Sequence, residues 1–312
     1  MTAPPREPLA LDTTVFARGL RTRRGSPLYD IDLDVLPGEI YVIVGRAGAG
    51  KTTLLESLVG LHEVHADELI VCGSDPRAFP AAVRQRIGVA ARRATVERTW
   101  RVDEALHLFR TFYQRSVDLD ALLDVLHLTS YRHWLAGRLP PGPAQCFSLA
   151  LALVNDPVAL FVDEPTHDLD PELTRHIWDL LRDQRRRGRT VVMTTDHLEE
   201  AERLADRVAV LHRGRLVAVA PPAHLLSRTA RKVVVTFDLA RPSLDPLVLS
   251  GLDAAVSADR TGDVYSVWST DGFATIRALT RVLDASGATP RTLQLRYPTL
   301  EDVFFELTTE AA

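Results

Sequence analysis

The stretch IYVIVGRAGAGKTT, residues 40–53, decides how this chain folds. Ile40–Val44 is an apolar, largely β-branched run and reads as a buried strand. Glycines follow at 45, 48 and 50, then Lys51, Thr52 and Thr53. Leu54, Leu55, Leu58 and Val59 recur at helical spacing. In this strand–loop–helix order, Gly45-Arg46-Ala47-Gly48-Ala49-Gly50-Lys51-Thr52 reads as a phosphate cradle. The glycines let successive N–H groups turn toward phosphate oxygens, and the helix start adds positive potential. Lys51 is then the group that reaches the β- and γ-phosphates, and the Thr52 hydroxyl is a Mg²⁺ ligand. The bland alternative is a glycine turn beside a solvated lysine.

A second stretch weighs against that alternative. VALFVDE, residues 158–164, is another apolar strand, and it ends in two carboxylates. Asp163 is placed to hold Mg²⁺ through water, and Glu164 to polarise an attacking water. Pro165, Thr166 and Leu169-Asp170-Pro171 follow at once.

The 312 residues suffice for one large domain and a smaller one. Hydrophobic residues make up 46% and charged ones 25%, with a net charge of −4 and the signs interspersed, which gives no case for nucleic acid as the main partner. Cys72 and Cys146 are too few and too far apart for a disulfide framework or metal site, and read as buried thiols. The first twelve residues lack the apolar core of a signal peptide, and no window reaches the length of a membrane span. A cytoplasmic protein is expected, with any membrane role coming through a partner.

Along the chain, residues 1–12 read as a flexible lead. Strands are expected at 15–20, Ile31–Val35, 68–72 and Ile87–Ala90. Helices are expected at 102–113, 119–128 and 144–153, so about 95–155 forms a mostly helical subdomain. The α/β pattern then returns, with a helix at 172–186, a strand at Thr190–Thr195, a helix at Leu198–Leu204 and a hairpin around Arg213-Gly214. Past residue 227 the character changes to a small α+β domain, 228–312. The fold class is therefore α/β: a P-loop cassette over 13–227 with an antiparallel β subdomain and a helical subdomain, then the accessory domain.

GRAGAGKTT, VALFVDEP, HDLDP and EEAERLADRVAVLHRGRL, in this order, resemble the nucleotide-binding subunits of ATP-binding-cassette (ABC) transporters over about residues 10–227. The tail LRYPTLEDVFFELT is similar to the C-terminal domain of drug-export ATPases of the daunorubicin-resistance type. The resemblance implies Mg-ATP bound between two such chains, each phosphate loop facing the other chain's signature loop. It also implies polytopic membrane permease subunits as partners, on the inner face of the cell membrane.

Several family positions depart from the pattern. Where the signature loop carries Leu-Ser-Gly-Gly-Gln, this chain has Leu139-Pro140-Pro141-Gly142-Pro143. Proline has no N–H to offer a phosphate. Charge-assisted hydrogen bonds contribute about 1.5–3 kcal/mol each, so losing two or three weakens that clamp by about 10² to 10⁴-fold or more. Pro143 reads as the start of the following helix. The family glutamine aligns with Arg92, which either approaches a phosphate or points to solvent. The switch histidine aligns with Asp196, with His197 one position later. Either Asp196 pairs with Arg92 or another cation, or it turns away, or a bulge brings His197 into place. The adenine-stacking aromatic is missing from Leu20-Arg21-Thr22-Arg23-Arg24-Gly25, where an arginine either stacks or is simply solvated. The binding residues and the candidate base are kept while the clamping and switching residues are altered. This favours a different ATPase chain over a second copy as partner. The rival reading is a non-hydrolysing, regulatory ATP-binding half. A soluble cassette protein acting on nucleic acid is the weakest of the three.

Overall fold

A strand apolar on both faces needs cover on both, so it belongs inside a sheet flanked by helices. In the computed structural model, which describes residues 13–22, 27–78, 80–91, 96–229, 233–239 and 244–310, every residue of β3 (Ile40–Val44) is buried. The chain divides into two units, one up to Pro221 and one over Pro222–Glu310.

The first unit opens with β1 (Val15–Thr22) and β2 (Ile31–Val35), ahead of β3. After α1 (Lys51–Leu58) come β4 (Val64–His65), β5 (Glu68–Val71), the single turn α2 (Ala81–Arg84) and β6 (Ile87–Ala90). Three helices follow, α3 (Val102–Arg110), α4 (Leu119–Val125) and α5 (Pro141–Leu153). The chain then returns through β7 (Ala159–Asp163), α6 (Pro171–Arg186), β8 (Thr190–Thr195), α7 (Leu198–Leu204), β9 (Arg207–His212) and β10 (Arg215–Ala220). The central sheet runs β10-β9-β3-β8-β7-β6. All its pairs are parallel except β10 on β9. A second, antiparallel sheet pairs β1 with β2, β4 and β5. In a parallel sheet the loops after the strands gather at one end, and the loops after β3, β7 and β8 meet there.

The second unit holds α8 (Pro222–Thr229), β11 (Val233–Leu239), α9 (Pro246–Ser250), β12 (Ala255–Thr261), β13 (Val264–Ser269), α10 (Gly272–Ser286), β14 (Pro290–Arg296) and α11 (Leu300–Glu310). Its antiparallel sheet is ordered β12-β13-β11-β14. Phe237 and Tyr265, paired across β11 and β13, stack with ring centroids 5.0 Å apart. Asp302 accepts from the Thr299 amide and ties Arg296 through both guanidinium nitrogens, which gives the LRYPTLED stretch a structural role. Burial works against ionisation of Asp302, but the bonds from Arg296 and Thr299 outweigh it and hold the carboxyl below its ordinary range.

The boundary falls at Pro221–Pro222 rather than after residue 227, because 222–229 is helical and α8 packs against α11. Helix α5 starts at Pro141, earlier than the expected 144, because the first turn of a helix has no acceptors for its own N–H groups and loses nothing to proline. Cys72 and Cys146 are free and buried, and burial pushes the Cys146 thiol up to about 11. The expected lead at 1–12 lies outside the described residues.

Arg207 ties three strands together. Its guanidinium contacts Glu39 at 2.6 and 3.0 Å, reaches Asp34 at 3.1 Å and lies over the Tyr41 ring at 5.3 Å. Removing one member of a buried pair costs about 3–5 kcal/mol, since the other charge is stranded. Arg207→Met is expected to lower stability by about 3 kcal/mol, and Arg207→Met/Glu39→Gln to recover part of the loss, by urea unfolding.

Candidate nucleotide site

The loop between β3 and α1 is shaped by its glycines. A Cβ on Gly45 would lie 2.5 Å from the Leu211 carbonyl oxygen, so only glycine fits against β9. Gly50 caps α1 with φ +103°, a conformation that side chains resist. Arg46, Ala47 and Gly48 form the exposed crest, where the Ala49 N–H donates to the Arg46 carbonyl. Thr53 lies inside α1, and its carbonyl accepts from Ser57. Burial first, then the Arg213 and Arg46 guanidinium groups, hold His212 below its ordinary value, a sign of positive potential beside the loop.

Lys51 is only 5% exposed. Its Nζ donates to the Gly45 carbonyl at 2.9 Å and lies 3.4 Å from Glu164 Oε1, so the candidate base and the phosphate-binding cation face each other. The Thr52 hydroxyl donates to Asp163 at 2.9 and 3.1 Å, and the Thr194 hydroxyl donates to Asp163 Oδ1 at 2.5 Å. These are hard oxygen ligands. Mg²⁺–oxygen distances of 2.0–2.1 Å put neighbouring octahedral ligands about 2.9 Å apart, so Thr52 and Asp163 fit the ion and would hold it. Glu164 has φ +45°, unusual for a residue with a side chain. Its N–H is held by the backbone carbonyl and hydroxyl of Thr194, both at 3.1 Å, which fixes that strained conformation against β8.

Pro140 is the N-cap of α5, with Pro141, Gly142 and Pro143 as its first turn. The Ala144 N–H already bonds the Pro140 carbonyl. Of the N–H groups that a helix start ordinarily offers an anion, Gly142 alone keeps one here. A Cβ on Gly142 would meet Leu173 at 2.7 Å, so this turn packs closely on α6.

Asp196 and His197 follow the end of β8. The alternation that would send them to opposite faces stops at Thr195, and His197 Nε2 comes within 3.7 Å of Asp196 Oδ1. Arg92 lies outside the described residues, as do Arg23, Arg24 and Gly25 of the expected adenine region. Two residues escaped the sequence reading. His167 Nδ1 lies 3.8 Å from Glu164 Oε2. Its signal was an imidazole three residues after the base. Tyr29 sits near the loop, its N–H on the Gly214 carbonyl and its ring under Arg215 at 5.0 Å. Nothing in the local sequence marked it.

The ABC transporter family model matches residues 28–167, and an AAA-domain model matches 137–199. The chain is 31% identical over 306 residues to a daunorubicin resistance ATP-binding protein of Streptomyces coeruleorubidus, covering 95% of this chain and 96% of that one. A Nod factor export ATP-binding protein I of Rhizobium etli is 34% identical over 282 residues, covering 88% of this chain and 86% of the other. Among solved structures, an ATP-binding subunit of an ABC transporter superimposes with a TM-score of 0.64 at 23% identity, covering 69% of this chain and 93% of its own. A part of an ABC transporter complex from Clostridium perfringens gives 0.59 at 21% identity, covering 69% and 91%. The shared fold is the P-loop ATPase cassette. Among the described residues, no helix is long and apolar enough to cross a membrane.

One buried acid braces these loops. Glu200, 1% exposed on α7, accepts from the Thr166 hydroxyl at 2.9 Å and the Trp178 indole at 2.8 Å. Burial raises its carboxyl above the ordinary range despite the Thr195, Trp178 and Thr166 donors and the nearby His197. A raised folded-state value means a contribution present below the unfolded value near 4.3 and lost as pH rises through the folded one. Glu200→Gln keeps an acceptor and removes the charge. Unfolding in urea at about pH 5 and about pH 8 is expected to show wild type losing more stability between the two than Glu200→Gln does.

Proposed function

The chain belongs to the ATP-binding subunits of ABC transporters, and we propose that it is the energy-coupling subunit of an exporter, binding Mg-ATP between two cassettes. The observation that carries this reading is the meeting of Lys51, Thr52, Asp163 and Glu164 across β3, α1 and β7. Lys51 and the loop N–H groups bind the phosphates, Thr52 and Asp163 hold Mg²⁺, and Glu164 takes a proton from the attacking water. The metal supplies charge neutralisation on the phosphates.

The subunit works at the cytoplasmic face of the membrane by docking on polytopic permease subunits. The names of its relatives, daunorubicin resistance and Nod factor export, support export as the direction and a drug-like or lipid-linked cargo. The partner ATPase is a different chain. In a homodimer the proline-filled start of α5 would face both nucleotides, and neither would receive a full set of N–H donors. A partner with an intact signature loop completes the site built on Lys51 and Glu164. The same helix start supports a second reading, in which this chain binds ATP, holds the dimer closed and leaves hydrolysis to its partner.

Glu164→Gln in this chain alone, within the purified transporter assembly, separates the two. Losing a general base lowers turnover by about 10²–10⁴-fold, and that collapse with ATP binding retained is the expected result. Turnover close to wild type would assign hydrolysis to the partner and this chain to the regulatory role.

A further inference from the structure

Three side chains beside the phosphate site have no part in the reading above. His167 lies on the loop after β7, and Asp196 and His197 lie on the turn between β8 and α7. Each brings one ligand-type atom to within 4.8 Å of the other two. Their geometry is not that of a surface ion pair. The two imidazole rings lie 6.5 Å apart, inclined at 35°, with the Asp196 carboxylate 3.7 Å from His197 Nε2. His167 is half-buried between two acids, with Nδ1 3.8 Å from Glu164 Oε2 and Nε2 3.1 Å from Asp168 Oδ2. Its Nδ1 is enclosed and has no hydrogen-bond partner.

We propose that His167, Asp196 and His197 form a binding site for a transition-metal dication of the zinc class, separate from the Mg²⁺ position at Thr52 and Asp163. The ligand set selects the ion. Two imidazoles and one carboxylate suit Zn²⁺ and its neighbours, whereas Mg²⁺ takes oxygen ligands and gives up its waters reluctantly. Zinc–nitrogen distances near 2.0–2.1 Å place tetrahedral ligand atoms about 3.4 Å apart. The cluster must therefore contract by about 1 Å at most, and His197, whose side chain is 58% exposed, is free to turn inward. Three protein ligands leave a fourth position open. A metal-bound histidine ordinarily gives its other N–H to a carboxylate. With the ion on Nε2, His167 presents Nδ1–H to Glu164, the acid it already faces. An ion here clamps the loop that carries the candidate base to the turn that carries the switch position.

The test uses the full chain, free of tag and nucleotide, with Mg²⁺ in excess. Zinc is titrated against a chromophoric chelator, and cobalt serves as a second probe whose visible spectrum reports tetrahedral nitrogen and oxygen ligation. Wild type is expected to bind one zinc at micromolar or lower concentration, with cobalt bands free of thiolate charge transfer, and to unfold at a higher temperature with zinc present. His197→Gln, at an exposed position that does not threaten folding, is expected to weaken zinc at least about tenfold to hundredfold, as is His167→Gln. The metal-free melting temperature of each variant checks that it is folded. Zinc binding of unchanged strength in both variants would place the metal at other histidines and overturn the proposal, as would failure of wild type to compete with the chelator. Because no nucleotide is present, either result leaves the assignment of ATP turnover untouched.

Discussion

The arrangement depends on one carboxylate at the end of one strand. Asp163 closes β7, a strand buried along its whole length, and a carboxylate there must find donors or drive the strand apart. It finds the hydroxyl of Thr52 on α1 and that of Thr194 on β8. Three elements far apart in sequence are thereby fixed around one pair of oxygens. Glu164, the next residue, inherits its position from that anchoring, since its N–H is held by the same Thr194. The strained backbone at Glu164 is tolerated because β8 holds it on one side and Lys51 draws its side chain on the other.

The parts legible in the sequence are those whose cause is local. A glycine loop after an apolar strand, and two acids closing another, are demanded by backbone geometry and by phosphate chemistry. Both can be read from a dozen residues. The relation of Asp196 to His197 was not legible in this way. Alternation holds only while the strand lasts, and the turn into α7 brings the two side chains together. His167 beside Glu164 was missed for a similar reason, since Glu164 and Asp168 both have positive φ and bend the loop back on itself. The division at Pro221 escaped too. The polar residues near Ser227 look like a linker, but they belong to a helix whose apolar side rests on α11.

Glu200 shows how support for such a site differs from the site itself. It touches no phosphate-binding residue, yet it joins the loop after β7, through Thr166, to α6, through Trp178, and to the first turn of α7. Its cost is a buried charge. Its return is that the turn carrying Asp196 and the loop carrying His167 are braced against the same acid.

The proline-filled start of α5 has a historical meaning as well as a chemical one. Each proline at 140, 141 and 143 removes one N–H, and a single reversion returns only one. The substituted turn also packs on Leu173 without a gap, so the helix itself gives no pressure to revert. Descent into this state can proceed by small steps, but ascent from it is rewarded only when several changes arrive together. The helix start therefore acts as an evolutionary ratchet. A lineage that has crossed it keeps its fold and its nucleotide loop, and holds its altered half of the interface as a fixed inheritance.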